Sequence, residues 1–189
     1  MNSAGARRRA VFLDRDGTIA EEVGYMNHLS RFQLLPGAAA AIRRLNEAGV
    51  PVIVVTNQSG VARGFFPEEL VERVHERLVA ELAASGARVD AIYYCPHVAA
   101  DDCDCRKPRP GMLERAAREH NLGIAGSCVV SDRFADLEMA HTAGAKGILV
   151  MTGYGRGEYE WNRGPQAHLE YRVAEHLGEA VQLILEDAR

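Results

Sequence analysis

Five short apolar runs alternate with longer helical patterns along the chain, and this alternation limits the possible folds more than any other feature. The runs are rich in β-branched residues and lie at residues 10–13, 51–55, 91–95, 128–131 and 147–151. Strands and helices that alternate at these lengths predict an α/β fold, a doubly wound and mostly parallel Rossmann-like sheet with helices on both faces. The chain has 189 residues without a repeat or linker, so we expect a single domain over residues 1–189.

Helical patterns fill the intervals between the runs. They are predicted at residues 36–48, 67–85, 110–121 and 135–143. The spacing of Val173, Leu177, Val181 and Ile184 predicts one further helix at the end. Two loops, 19–35 and 97–109, have the length of functional loops. A third segment, 152–166, is rich in glycine and aromatic residues and is either a mobile flap or plain surface.

The first apolar run ends in two aspartates one residue apart, Asp14 and Asp16. Parallel strands bring their carboxyl ends to one edge of the sheet, where open α/β sheets bind ligands. Two carboxylates this close repel each other unless a cation or a shared proton holds them. We therefore expect Asp14 to act as a nucleophile beside Mg²⁺ and Asp16 to act as the acid/base that serves it.

Three further polar groups follow the same edge. Thr56 begins a hydroxyl- and amide-rich turn that can bind phosphate oxygens, although such a turn can also simply close a strand. Arg106 and Lys107 belong to a proline-stiffened basic segment that either grips anions or forms a solvated loop. Asp132 directly follows the fourth run and is the better metal candidate. Asp136 is predicted to lie in the first turn of the next helix, where the helix dipole favours a negative charge.

A cluster of cysteines and a histidine lies in the second long loop. Cys95 and His97, followed by Cys103 and Cys105, offer three thiolates and one imidazole, which is a closed tetrahedral set for structural Zn²⁺. The alternative is two pairs of loop thiols and a surface histidine. Cys128 opens a predicted buried strand and is expected to be a small core residue.

These segments, in this order, resemble the haloacid-dehalogenase-like phosphohydrolases. The resemblance is closest to the D-glycero-D-manno-heptose-1,7-bisphosphate 7-phosphatase family and the related histidinol-phosphatase domains, and it covers residues 10–186. It is carried by FLDRDGT at 12–18, Gly-Tyr at 24–25, VTNQSGVARG at 55–64, IYYCPH at 92–97, CDCRKP at 103–108 and the aspartates within 132–136.

The resemblance implies an HAD-type sheet with a zinc-bound loop and no large cap domain. It implies a Mg²⁺-dependent phosphatase that removes the C7 phosphate of D-glycero-D-manno-heptose 1,7-bisphosphate through an aspartyl-phosphate, with Thr56 and Lys107 holding the transferring group. Mg²⁺ would be bound by Asp14, Asp132 and the backbone carbonyl of Asp16. The implied substrate contacts are Glu22, Val23, Gly24, Tyr25, Asn57, Gln58, Ser59 and Arg106, the last for a second phosphate.

The chain departs from its relatives at one metal-binding segment. The relatives usually read Gly-Asp-Lys, whereas this chain has Ser131, Asp132 and Arg133. Asp132 is intact, so we expect the chemistry to persist while the fit of the substrate changes. A histidinol-phosphate or other small sugar-phosphate phosphatase is the nearest alternative. A phospho-accepting regulatory domain is an alternative of another class, but such domains carry the accepting aspartate after the third strand, where this chain has Cys95.

The charge of the chain limits the classes of partner that it is expected to bind. The formal net charge is −4 and provides no overall basic field for nucleic acid or an anionic membrane surface. The run after Arg7, Arg8 and Arg9 is too short for a signal peptide, and those arginines read as a solvated tail. We therefore expect a cytoplasmic enzyme, a monomer, that acts on a small phosphorylated sugar and binds neither nucleic acid nor membrane.

Overall fold

The computed structural model describes residues 7–187 and contains a six-stranded parallel sheet. The spatial order of the strands is β3-β2-β1-β4-β5-β6, so the chain winds outward from β1 in both directions. The strands are β1 Val11–Leu13, β2 Val52–Asn57, β3 Ala91–Cys95, β4 Cys128–Ser131, β5 Lys146–Val150 and β6 Tyr171–Ala174. The predicted doubly wound α/β fold is confirmed.

Helices cover both faces of this sheet. The α-helices are α1 Ala38–Glu47, α2 Glu68–Ala84, α3 Gly111–Glu119, α4 Phe134–Ala143, the single turn α5 Gly155–Gly157 and α6 Leu177–Glu186. Short 3₁₀ turns lie at Leu29–Arg31 and Ala99–Asp101, and a π-helical turn lies at Glu158–Asn162. None of the helices in the described part of the chain is long and apolar enough to cross a membrane.

The alternation of side chains along β1 divides the core into two layers. Val11 and Leu13 face the layer covered by α1, α2 and α6, whereas Phe12 faces the layer covered by α3 and α4. All three side chains are buried, and burying a side chain of this size stabilises the fold by about 1.5–3 kcal/mol. Because β1 is buried on both faces, its end is a rigid platform for the residues that follow it.

The end of the chain differs from the prediction in one element. Val173 lies in the edge strand β6 with 38% of its surface exposed, and the last helix begins only at Leu177. The prediction that Val173 belongs to that helix was therefore wrong. The strand has four residues, only one of which is buried, so its apolar signal is short and Val173 fits the helical spacing by coincidence.

The outer segments are more ordered than the sequence indicated. The backbone of Arg8 pairs with Leu122, so the three arginine side chains are exposed as predicted while their backbone is tied to the domain. The segment 152–166 carries the α5 and π-helical turns rather than plain irregular loop. The predicted domain includes residues 1–6 and 188–189, which lie outside the described residues.

Candidate active site

The predicted catalytic residues meet at the carboxyl edge of the sheet. Asp14 directly follows β1, and its backbone N–H donates to Val130 O in β4 at 3.0 Å. Thr56 lies at the end of β2, and Asp132 follows β4. A cavity of about 400 Å³ opens over this edge. The predicted site residues that line it are Asp14, Asp16, Glu22, Gly24, Tyr25, Thr56, Asn57, Gln58, Ser59, Arg106 and Lys107.

Two predicted residues do not line the cavity. Asp132 lies beneath its floor and is fully buried. Val23 packs against the core, and its carbonyl accepts a hydrogen bond from Arg31 Nη2 at 2.8 Å. Arg31 also donates to Tyr25 O at 2.8 Å, so this arginine shapes the loop that brings Glu22 and Tyr25 to the cavity.

Lys107 is a buried cation shared by two carboxylates. Its Nζ lies 2.8 Å from Asp14 Oδ1 and 2.5 Å from Asp136 Oδ1, and it donates to Val55 O at 3.1 Å. Burial disfavours the ammonium, but the carboxylates of Asp136 and Asp14 outweigh it and raise the pKa of Lys107. The two carboxylates therefore hold the lysine in its charged form beside Asp14.

The side chain of Asn57 holds the backbone of Lys107 in place. Asn57 Nδ2 donates to Lys107 O at 3.3 Å, and Lys107 N donates to Asn57 Oδ1 at 3.2 Å. The amide of Asn57 is therefore oriented by the protein, with one N–H and one oxygen lone pair left to contact a ligand. The neighbouring Gln58 Nε2 donates to both Asp16 Oδ2 and Thr56 Oγ1 at 2.9 Å, which links three residues of the site.

The surroundings of Asp132 fit a divalent cation. Its Oδ2 accepts from Tyr154 N at 2.8 Å, but its buried Oδ1 has no hydrogen-bond partner in the described part of the chain. Burial, and then the nearby charge of Asp14, raise the pKa of Asp132 to about 8. An unpartnered buried carboxylate oxygen next to a second carboxylate is the kind of donor set that Mg²⁺ uses.

Gly17 leaves the space that the carboxylate of Asp132 occupies beside the segment after β1. It has a φ of 78°, and a Cβ at this position would overlap the carboxylate of Asp132. A side chain at residue 17 would therefore both strain the backbone and displace Asp132. The DxDG pattern of the sequence thus has a steric cause in addition to its chemical one.

The four predicted zinc ligands lie together at the end of β3 and in the loop after it. Their ligand atoms all lie within 4.8 Å of one another. Cys95 Sγ is 3.0 Å from Cys105 Sγ and 3.6 Å from Cys103 Sγ, and His97 Nδ1 is 3.3 Å from Cys105 Sγ. Tetrahedral coordination with Zn–S bonds of about 2.3 Å places sulfur atoms about 3.8 Å apart. The group can therefore close around one Zn²⁺ after small adjustments.

The unusual Ser131-Asp132-Arg133 segment is accommodated locally. The buried hydroxyl of Ser131 accepts from Arg133 N at 3.1 Å. The guanidinium of Arg133 stacks over the ring of Tyr154, 4.0 Å from its centroid, and lies 3.7 Å from Glu158 Oε1. Arg133 and Tyr154 both line the cavity, whereas Ser131 and Asp132 do not. Of the two unusual residues, only Arg133 therefore forms part of the cavity surface.

Sequence reasoning missed several residues at the site. Asp136 lies in the first turn of α4, as predicted, but it is buried and pairs with Lys107 instead of serving the helix terminus alone. Arg63 and Tyr154 also line the cavity. The second aspartate four residues after Asp132 was a usable signal for the first, whereas nothing in the local pattern places residue 154 beside residue 132.

Comparisons with known proteins show which proteins this chain resembles in sequence. The family model described as haloacid dehalogenase-like hydrolase matches residues 2–141, and a HAD-hydrolase-like model matches residues 104–180. A protein of Thermosynechococcus vestitus named D-glycero-D-manno-heptose-1,7-bisphosphate 7-phosphatase is 42% identical over 94% of this chain and 95% of its own length. A Pseudomonas putida protein named D-glycero-beta-D-manno-heptose-1,7-bisphosphate 7-phosphatase is 43% identical over 80% of this chain and 87% of its own.

A solved structure gives the same result for the fold. The D,D-heptose 1,7-bisphosphate phosphatase of B. bronchiseptica, complexed with magnesium and phosphate, superimposes with a TM-score of 0.87 and 37% identity, covering 95% of this chain and 99% of that one. Sequence and structure agree over almost the full length. The chain belongs to the haloacid dehalogenase-like hydrolase family.

Proposed function

We propose that the protein is a Mg²⁺-dependent phosphatase that removes the C7 phosphate of D-glycero-D-manno-heptose 1,7-bisphosphate. The observation that carries this proposal is the group at the sheet edge: the carboxylate of Asp14 lies 2.8 Å from a buried lysine and beside a cavity, with Asp16 one residue away. Two relatives named for this activity match 94% and 95% of the chain, which supports the choice of substrate.

The reaction proceeds in two steps through an aspartyl-phosphate. In the first step Asp14 attacks phosphorus, the bond between phosphorus and the C7 oxygen breaks, and Asp16 gives its proton to that oxygen. In the second step Asp16 takes a proton from water, which attacks the acyl phosphate and releases inorganic phosphate. Both aspartates thereby return to their initial states.

Asp14, Asp132 and the backbone carbonyl of Asp16 would hold Mg²⁺. When bound, the ion supplies positive charge that lets an anionic phosphate approach an anionic nucleophile. The unpartnered Oδ1 of Asp132 is the observation in this chain that supports such a site. The remaining positive charge comes from the protein itself, chiefly from Lys107.

Lys107 and Thr56 hold the transferring phosphoryl group. Lys107 carries a fixed charge at the nucleophile, where it stabilises the charge that develops on the phosphoryl oxygens. The hydroxyl of Thr56 already accepts a hydrogen bond from Gln58, so its own proton is free to be donated to a phosphate oxygen. These contacts position the phosphate for in-line attack by Asp14.

The remaining lining residues recognise the sugar and its second phosphate. Arg106 is the proposed ligand for the C1 phosphate, because its guanidinium lines the cavity while its Nη1 donates to His97 O at 3.0 Å. That hydrogen bond connects Arg106 to the proposed structural zinc site. The other proposed contacts come from Glu22, Val23, Gly24, Tyr25, Asn57, Gln58 and Ser59; among these, Val23 acts by shaping the loop.

The proposed setting is a monomer in the cytoplasm that binds neither nucleic acid nor membrane. The cysteines of the zinc cluster are free thiols in this structure, and thiolate ligands persist where the cell keeps cysteines reduced. The net charge of −4 gives no electrostatic reason for binding to nucleic acid or to an anionic membrane.

A substrate panel with a nucleophile variant tests this function. With Mg²⁺ present, we expect kcat/KM for heptose 1,7-bisphosphate to exceed that for histidinol phosphate and simple sugar monophosphates by at least about tenfold. Asp14→Asn should abolish turnover while circular dichroism shows a folded protein. Equal or faster hydrolysis of histidinol phosphate would replace the proposed substrate, and an active Asp14→Asn enzyme would remove the proposed nucleophile.

A further inference from the structure

Arg15 is the largest fully buried side chain in the described part of the chain, and the proposed mechanism does not use it. It stands between the two aspartates and carries a charge that would be costly to bury alone. Its side chain is 1% exposed. Such a group needs partners on every side of its guanidinium, and the identity of these partners indicates its task.

One side of the guanidinium grips Asp16. Arg15 Nε donates to Asp16 Oδ1 at 3.1 Å, and Nη2 donates to Asp16 Oδ2 at 2.8 Å. This two-bond fork fixes the plane of the carboxylate, not only its distance. Gln58 Nε2 adds a second donor to Oδ2 at 2.9 Å, so Oδ1 is the oxygen with more capacity left to exchange a proton.

The opposite side of the guanidinium contacts His75 of α2. Arg15 Nη1 lies 3.1 Å from His75 Nε2, in a contact between two buried side chains. An arginine has donors only, so Nε2 must be the acceptor and the ring proton must lie on Nδ1. Burial, and then the charge of Arg15, lower the pKa of His75 to about 3, which keeps the imidazole neutral and able to accept.

We propose that Arg15 and His75 are positioning residues that orient the Asp16 carboxylate for proton transfer to the leaving oxygen. The inference rests on the proposed acid/base role of Asp16. His75 anchors Arg15 from α2, and Arg15 holds the carboxylate of Asp16 from the side facing away from the cavity. Neither residue lines the cavity, so both act through Asp16 and not on the substrate.

The choice of leaving group distinguishes a role in positioning Asp16 from a merely structural role. A sugar alkoxide must be protonated as it leaves, whereas the aryl oxide of p-nitrophenyl phosphate leaves without a proton. A misdirected Asp16 therefore slows the sugar substrate and largely spares the aryl substrate. The ratio of the two kcat/KM values isolates this step, because kcat/KM for an enzyme with a covalent intermediate excludes the later hydrolysis of that intermediate.

The experiment measures this ratio at saturating Mg²⁺ for the wild type, five single variants and one double variant. Asp16→Asn should lower kcat/KM on heptose 1,7-bisphosphate by about 10²–10⁴. Among the variants, it should change the ratio of the two kcat/KM values the most. His75→Leu, which removes the acceptor, should lower the same value by about 10–10² and the aryl value by less than about twofold. His75→Gln, whose amide oxygen can accept from Arg15, should recover most of that loss.

Two further measurements keep the outcome decisive. Val74→Ala, a buried change on the same helix, serves as the control that lowers stability without changing the ratio. Arg15→Lys, which keeps the charge but loses the fork, should change the ratio as His75→Leu does, and it replaces that variant if His75→Leu fails to fold.

Three results would overturn the inference, and they are distinguishable. If Asp16→Asn changes the ratio but His75→Leu and Arg15→Lys slow both substrates equally or slow neither, the two residues do not position Asp16. If Asp16→Asn itself leaves the ratio unchanged, the acid role in the proposed function fails and the inference fails with it. A larger loss in the Asp16→Asn/His75→Leu double variant than in Asp16→Asn would show that His75 acts elsewhere.

Discussion

Lys107 shows how a single side chain can depend on a partner far from it in sequence. The two carboxylates that contact it follow different strands, and Asp136 lies 29 residues after it. Because Asp14 and Asp136 share the ammonium, the position of Lys107 Nζ depends on the strength of both ion pairs. Removing one of them should shift the lysine toward the other.

We predict that Asp136→Asn impairs both activity and stability. The neutral amide attracts Lys107 less, so the ammonium pairs more closely with Asp14 and competes with the phosphate for the nucleophile. We expect kcat to fall by about 10–10² and the free energy of unfolding to fall by about 1–3 kcal/mol. Steady-state kinetics and urea denaturation measure the two effects.

A matched control separates this effect from the loss of any ion pair. Glu47→Gln removes the exposed pair with Arg43 on α1 and should change the free energy of unfolding by less than about 1 kcal/mol. It should leave kcat unaltered. If Asp136→Asn behaved like this control, Asp136 would only be a helix-terminal charge, as the sequence first indicated.

Three of the residues predicted from the sequence share one property: each lies at the end of an apolar run. Asp14, Thr56 and Asp132 were located because parallel strands bring their ends to one edge. The contacts that organise them could not be predicted in the same way. His75 meets Arg15 across 60 residues, and such a contact depends on how α2 packs against the sheet, which no local pattern specifies.

At the level of elements, the loop after β3 connects the metal cluster to the active site. His97 supplies both a candidate zinc ligand and the carbonyl that accepts from Arg106. Two residues after Cys105, Lys107 donates a hydrogen bond to Asp14, the proposed nucleophile. A loop with little core of its own needs a cross-link to hold such positions, and we propose that Zn²⁺ bound by the Cys₃His group is that cross-link.

We predict that loss of zinc weakens substrate binding more than it slows chemistry. In Cys103→Ser, the loop should loosen and Arg106 should lose its fixed position, so KM for the bisphosphate should rise about tenfold or more while kcat falls less. Metal analysis should give one zinc per chain in the wild type and little in the variant. The comparison requires KM on both a bisphosphate and a monophosphate.

Cys128→Ser is the control for the zinc prediction. Cys128 is buried and opens β4, away from the cluster. Its substitution should leave the zinc content at one per chain. A wild-type protein purified without chelator that contained no zinc would contradict the assignment of the four ligands, and an unchanged KM in Cys103→Ser would contradict the link to Arg106.

At the scale of the whole molecule, the fold was predictable because the same pattern, an apolar run followed by a helical pattern, recurs along the sequence. Five strands of the six were recognised from apolar runs, and the parallel order followed from the alternation with helices. The exception, β6, pairs only with β5 and carries exposed residues, so it lacks the apolar run that marks the inner strands. We propose that residues 1–189 form one domain, since the sheet is continuous from β3 to β6.

The stability of that domain should depend on pH through His75. Its pKa is about 3 in the folded protein, below the ordinary value of 6.5. Between these two pH values the unfolded chain binds a proton at this residue and the folded protein does not, so the contribution of His75 to the free energy of unfolding falls as the pH drops below 6.5, whereas the raised pKa of Asp132 acts in the opposite direction. By pH 5 the loss from this residue is about 2 kcal/mol, at 1.36 kcal/mol for each unit of pKa.

His75→Gln should remove this contribution, because the amide does not titrate. We expect the loss of stability between pH 7.5 and pH 5 to be about 2 kcal/mol smaller in His75→Gln than in the wild type. Urea denaturation at the two pH values measures it, and calorimetry on the same samples should show one transition if the chain is a single domain. Val74→Ala should lower stability equally at both pH values. An identical pH dependence in His75→Gln and the wild type would mean that His75 takes up a proton as readily in the folded protein as in the unfolded chain, which contradicts a buried neutral imidazole that accepts from Arg15.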